Sequence, residues 1–170
     1  DQIWNPGLTK KAYYLGFVPA GKGKFSYAAS IANNIPDDWK RTYSESLSRL
    51  DAISIREEKN QTVLQEMLGR EICVTVDPTL LLDWSDWNSV AAEPLVKTPY
   101  VFCYFLGYSR KMRQISAHIA KKMGVKVVTI PHLLGTTRRF YPCDDAYGQE
   151  KLYDVSPDGF LALIRDAEYV

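Results

Sequence analysis

Hydrophobic positions fall into short, nearly continuous runs separated by stretches of helical periodicity. Lys24-Phe25-Ser26-Tyr27-Ala28-Ala29-Ser30, Ala52-Ile53-Ser54-Ile55 and Ile72-Cys73-Val74-Thr75-Val76 have the length and the β-branched or aromatic content of strands. Between the first two, Trp39, Tyr43, Leu47 and Leu50 recur at helical spacing. They follow Pro36, which suits a first helical turn, and Asp37 and Asp38, which suit a positive helix end. Val63, Leu64, Met67 and Leu68 mark a second helix, with Asn60 as its expected cap and Gly69 as its stop. A connector over 83–99 holds two tryptophans and two prolines, and then the pattern restarts. Tyr100-Val101-Phe102-Cys103-Tyr104-Phe105-Leu106 predicts a strand ending at Gly107. Met112, Ile115, Ile119 and Met123 predict the inward face of a helix over 110–123, stopped by Gly124. A strand over 125–130, an irregular stretch over 131–155 and a last helix opened by Ser156-Pro157-Asp158 complete the reading.

Alternating strands and helices with apolar strands predict an α/β fold of parallel sheets covered on both faces. The restart divides the chain into two units, 1–90 and 99–170, joined by a linker at 91–98. The chain opens on the turn Trp4-Asn5-Pro6-Gly7 and stops at Ala167-Glu168-Tyr169-Val170, where a strand begins. The expectation is therefore an internal piece of a longer protein, with both units incomplete and only half a site, inactive on its own.

Composition narrows the function. The chain has 170 residues, 46% hydrophobic and 24% charged, with net charge +1. A disordered chain is excluded by that balance, and near-neutrality removes the footprint of a dedicated nucleic-acid binder. No apolar run approaches the roughly 20 residues of a membrane span. Cys73, Cys103 and Cys143 are odd in number and widely spaced, which fits free thiols in a reducing cytoplasm. Without a Cys pair at ligand spacing, and with only His118 and His132, no metal is expected.

Ligands of open parallel sheets bind outside the carboxyl ends of the strands. That rule selects Ser30, Arg56, Asp77 and Gly107, each directly after an expected strand. Arg56 reads as an anion clamp, since guanidinium grips phosphate or carboxylate with two bonds, or as the partner of Glu57 or Glu58. Asp77 and Thr79 flank Pro78, and either cap the turn or bind a ligand hydroxyl. Asp1, Trp4 and Asn5 put a ring among polar groups, which suits a sugar as well as a packed turn. From Pro94 to Cys143 the chain carries basic residues and no acidic one, which suits a phosphorylated donor, an anionic membrane surface or a solvated helix face. Arg138 and Arg139 lie in the irregular stretch and His132 follows a strand, where a general acid is conceivable beside a plain loop histidine. Gly21-Lys22-Gly23-Lys24 lacks the spacing of a phosphate loop.

The ordered set Asp-Gln-Ile-Trp-Asn-Pro at 1–6, Ser-Tyr-Ala-Ala-Ser at 26–30, Ser-Ile-Arg-Glu at 54–57, Asp-Pro-Thr-Leu-Leu-Leu at 77–82, Tyr-Phe-Leu-Gly at 104–107 and Pro-Asp-Gly-Phe-Leu-Ala-Leu-Ile-Arg-Asp-Ala at 157–167 resembles the polysaccharide pyruvyl transferase family. The resemblance implies two Rossmann-like domains facing a cleft in a GT-B-like arrangement. It also implies transfer of a pyruvyl group from phosphoenolpyruvate to a sugar or lipid-linked glycan acceptor of a cell-wall or surface polysaccharide, forming a cyclic ketal. Phosphoenolpyruvate is the donor substrate, and no cofactor is implied. Arg56 matches the family's strand-end arginine, and a Ser-Phe-His-Gly motif, whose histidine is a catalytic candidate, would follow Val170. The implied setting is cytoplasmic, at the inner face of the membrane where a lipid-linked acceptor is used. A GT-B glycosyltransferase using a nucleotide sugar and a non-catalytic carbohydrate-binding relative are the competing readings. The acceptor and the oligomeric state are not legible.

Overall fold

The computed structural model describes residues 3–6, 10–134, 139–140 and 142–170. The chain divides into two compact units, Asp1–Leu82 and Asp83–Val170.

In the first unit, β1 (Phe25–Ala29), β2 (Ala52–Ile55) and β3 (Cys73–Val74) form a parallel sheet in chain order. Helices α1 (Lys40–Leu47) and α2 (Gln61–Leu68) provide the crossovers. Tyr43 and Leu47 of α1 and Leu64 of α2 share one core with Ile53 and Ile55. Alternation along β2 sends Ser54 to the opposite face, where Phe25, Ala52 and Cys73 are exposed. Within this unit the expected cover on both faces is thus present on one. Gly69 ends α2 in the left-handed conformation, as expected. Asn60 stands at the cap position but does not cap. Its amide donates to the Asn33 carbonyl (2.9 Å), tying down the segment that follows β1.

The pairing of β1 with β2 slips by one residue between Ser26 and Ala29. The extra residue is accommodated by a left-handed Ala28, φ 49°. Such a bulge leaves a ladder amide without its usual partner. Ser54 supplies one: its Oγ accepts from the Ala28 N–H (2.8 Å) and from the Thr75 hydroxyl (2.9 Å). A polar residue inside an Ile-rich strand is therefore a repair of the bulge beside it.

In the second unit, β4 (Tyr100–Cys103), β5 (Lys126–Thr129) and β8 (Glu150–Lys151) form the other parallel sheet. Tyr169 bridges Val101 in parallel on the free side of β4, with the Phe102 N–H donating to the Tyr169 carbonyl (2.8 Å). The order Tyr169, β4, β5, β8 is the 3-2-1-4 order of a doubly wound sheet. Faces alternate accordingly. Val101, Cys103 and Val127 pack with Ala120 of α4 (Arg110–Met123). Tyr100, Phe102 and Val128 pack with Leu163 of α6 (Pro157–Arg165). Buried Tyr100 donates to the Leu163 carbonyl (2.9 Å), and burial pushes its phenol up to about 12, so it remains a donor across the working range. The chain is thus α/β with two small Rossmann-like parallel-sheet units.

The irregular stretch over 131–155 is more structured than expected. It holds the two-residue strands β6 (Leu133–Leu134) and β7 (Arg139–Phe140), the short α5 (Pro142–Asp145), and β8, the third strand of the sheet. The α4 boundaries match the expectation, but its face does so only in part, since Ile119 packs against the core. Within the unit Met112 is 50% exposed and Met123 44%, whereas Arg113 is 5% exposed. Arg113 donates to Asp144 through Nε (3.0 Å) and Nη2 (2.5 Å), and to the carbonyls of Gly107 and Ser109 through Nη1. Its guanidinium lies over Phe105, 4.8 Å from the ring centroid. The stretch expected as a linker, 91–98, lies within the second unit. Helix α3 (Trp84–Val90) packs against α6, Ala92 N–H donates to the Asp158 carbonyl and Val96 is buried.

Candidate functional site

Three strand ends of the first sheet converge on one polar network. The Arg56 N–H donates to the Ala29 carbonyl (3.3 Å) and the Thr75 N–H to the Ile55 carbonyl (2.9 Å), which sets the segments after β1, β2 and β3 side by side. Ser30 emerges from β1 between two left-handed alanines, Ala28 and Ala32 (φ 65°). Its hydroxyl donates to Glu57. Arg56 emerges from β2 and donates through Nη1 to Asp77, while its Nε lies 3.8 Å from Glu57 Oε1. Asp77 follows β3 and accepts from the Thr79 N–H (2.9 Å) and hydroxyl (2.8 Å).

Each link has a local cause. Asp77 caps the 3-10 turn Pro78–Leu80, whose first position is proline, so its carboxylate is aimed by the turn. The Thr79 N–H and hydroxyl, and then Arg56, hold the Asp77 carboxyl below the usual carboxylate range. Ser30 is 1% exposed, so its hydroxyl must be paired within the protein. Non-glycine residues in the left-handed region cost of order 1 kcal/mol each and gather at functional sites. Here two of them bracket the residue that supports Glu57.

Ser30, Arg56, Asp77 and Thr79, selected as separate candidates, are therefore brought into one constellation. The sequence offers Glu57 only as a neutralising partner of Arg56. It is the link between Ser30 and Arg56, and its position directly after the strand-end arginine was the available signal. Trp4 is elsewhere in character: it is 1% exposed, stacks on Tyr14 and belongs to the core, leaving no exposed ring face for a sugar. Its backbone N–H donates to the Ser30 carbonyl (3.2 Å) and its backbone carbonyl accepts from Tyr43, so it buttresses the network through the backbone. Asn5 is partly buried beside it. Asp1 and Arg138 lie outside the described residues, as does the side chain of Arg139.

The second unit has its own carboxyl edge. His132 follows β5, partly buried, with its ring edge-on to Tyr104 after β4 (6.4 Å between centroids). Gly107 lies past β4, where its carbonyl accepts from Arg113. A Cβ on Gly107 would meet open space, so neither crowding nor left-handed backbone demands glycine there. Among the described residues, no group of three His, Cys, Asp or Glu side chains could hold a metal ion, and no helix is long and apolar enough to cross a membrane. The three cysteines are free.

A strand-end arginine bracketed by carboxylates can bind an anionic ligand by exchanging one carboxylate for it, with the other carboxylate available to orient a hydroxyl. Comparison with known proteins bears on which ligand. The family model described as "Polysaccharide pyruvyl transferase" matches residues 2–170. No curated protein and no solved structure matches the chain.

Proposed function

The chain belongs to the polysaccharide pyruvyl transferase family, and we propose that it moves the pyruvyl group of phosphoenolpyruvate onto two hydroxyls of a sugar in a cell-surface or cell-wall polysaccharide, or its lipid-linked precursor. The observation that carries the reading is Arg56 at the carboxyl edge of a parallel sheet, in a chain matched by that family along its length. Phosphoenolpyruvate brings a phosphate and a carboxylate, and guanidinium is the side chain that binds either with paired bonds.

In the proposed reaction a proton adds to the methylene carbon of the donor, leaving an oxocarbenium-like centre at C2. One sugar hydroxyl adds to C2 and gives up its proton. Inorganic phosphate then leaves with the first hydroxyl's proton, and the second hydroxyl adds to C2 to close the ketal, losing a proton that replaces the one given to the methylene carbon. Arg56 holds the donor anion and stabilises the departing phosphate. His132, after β5 of the second unit, is proposed as a general acid on the chemistry of imidazole alone. The proposed setting is cytoplasmic, at the inner membrane face for a lipid-linked acceptor.

The test is incubation of the full-length protein with phosphoenolpyruvate and a panel of glycans, scoring phosphate release and ketal formation by NMR, with nucleotide sugars in parallel. Phosphate release coupled to a pyruvyl ketal is expected. Binding of a nucleotide sugar, with neither binding nor consumption of phosphoenolpyruvate, would overturn the reading.

A further inference from the structure

We infer that Ser30 and Glu57 act as a positioning pair that sets the orientation of the Arg56 guanidinium, an inference that rests on the reading of Arg56 as the donor-anion clamp. Ser30 is locked from both sides. Its carbonyl accepts from Trp4, the preceding Ala29 carbonyl accepts from the Arg56 N–H, and left-handed Ala28 and Ala32 fix the turn on either side. The hydroxyl so placed is buried and donates to Glu57 Oε1. That oxygen is also the one 3.8 Å from Arg56 Nε. The rigid, strained end of β1 is thereby transmitted through one carboxylate to the guanidinium. Asp77, fixed independently by Thr79, holds the opposite, Nη1 side.

Glu57 acts here through geometry more than charge. Its side chain is 32% exposed and its ion pair with Arg56 is long, and partly exposed pairs of that kind contribute little. Its bond from a buried hydroxyl is the stronger restraint, because the alternative for Ser30 is an unpaired buried donor. An uncharged side chain of the same length that still accepts from Ser30 should therefore do nearly as well. This gives Ser30 a different role from substrate contact: it reaches the ligand only through Glu57 and Arg56.

The experiment uses the full chain with 15N-labelled arginine. The Arg56 guanidinium signals, assigned by their loss in Arg56→Lys, report its immobilisation without ligand, and a calorimetric titration reports phosphoenolpyruvate affinity. Glu57→Ala and Ser30→Ala are each expected to collapse the resolved guanidinium signals and to weaken affinity about fivefold, the scale of one lost hydrogen bond. Glu57→Gln should retain both properties within about twofold, and the Ser30→Ala/Glu57→Ala double variant should be no worse than either single one, as two links of one chain require. Unaltered guanidinium signals in both alanine variants, Gln as damaging as Ala, or multiplied losses in the double variant would overturn the inference. Glu57→Ala, at a partly exposed position, keeps the test readable if loss of the buried hydroxyl unfolds the chain. Wild-type chain that binds no phosphoenolpyruvate while the signals still collapse in the variants would overturn the donor reading and leave the positioning pair standing.

Discussion

Arg56 is met by two carboxylates, so the three side chains together carry more negative than positive charge. An anionic donor must compete with Asp77 for the guanidinium, and this predicts that Asp77 lowers donor affinity. Asp77→Asn keeps an oxygen for Thr79 but removes the charge. Affinity for phosphoenolpyruvate should tighten about fivefold, the equivalent of the ~1 kcal/mol typical of a partly exposed charge interaction. Weaker binding in a titration of that variant would show Asp77 to be a support and not a competitor. Ser54 presents a different residue-scale case. Ser54→Ala strands the bulge amide of Ala28 without its acceptor, and should cost about 1–3 kcal/mol in urea unfolding. The site residues were legible because strand ends can be read from where apolar runs stop. Ser54 was not, because the bulge it repairs depends on the register between two strands and leaves no mark in either one alone.

Helix α4 shows what an element's pattern does and does not carry. Its ends were legible: Gly124 is left-handed at the stop, and the Ser109 hydroxyl accepts from the Met112 N–H. Its inward face was legible at Ile119 but not at Arg113, because apolar spacing ranks Met112 and Ile115 above an arginine. Arg113 is buried alongside Ala120, paired with Asp144 and capped by an aromatic ring. Breaking such a pair leaves a buried charge uncompensated, so Arg113→Ala should destabilise by about 3–5 kcal/mol. Unfolding within 1 kcal/mol of the wild type would contradict the burial of that pair. Strand β8 escaped the sequence reading because it is two residues long, Glu150-Lys151, with no apolar content. It is recruited by the Thr129 carbonyl, which accepts from the Leu152 N–H, and by the Lys126–Glu150 ion pair.

Across the whole molecule, alternation of strand and helix was enough to predict parallel α/β units. Strand order was not, since which edge a strand joins depends on crossovers that sequence spacing does not encode. Both units share one electrostatic property. Asp37, Asp77, Asp83, Asp158 and Asp166 are held below their ordinary value of 3.8, respectively by Lys40, Thr79, the Ser85 hydroxyl, the Ser156 hydroxyl and Arg165 as the leading partners. Carboxyls more acidic in the folded state stabilise it above the unfolded value, and that contribution is lost as pH falls through the folded values. The urea midpoint should be flat above about pH 5 and fall below about pH 4, whereas a midpoint that rises on acidification would contradict these pairings. In the proposed function Arg56, at the carboxyl edge of the first sheet, is the donor-anion clamp. Its most direct test is the dissociation constant of phosphoenolpyruvate for Arg56→Ala against wild type, with thermal unfolding of both as the folding control. A loss of at least about tenfold is expected, the worth of a charge-assisted hydrogen bond, with a far smaller change in stability. Unchanged affinity in a folded variant would contradict it.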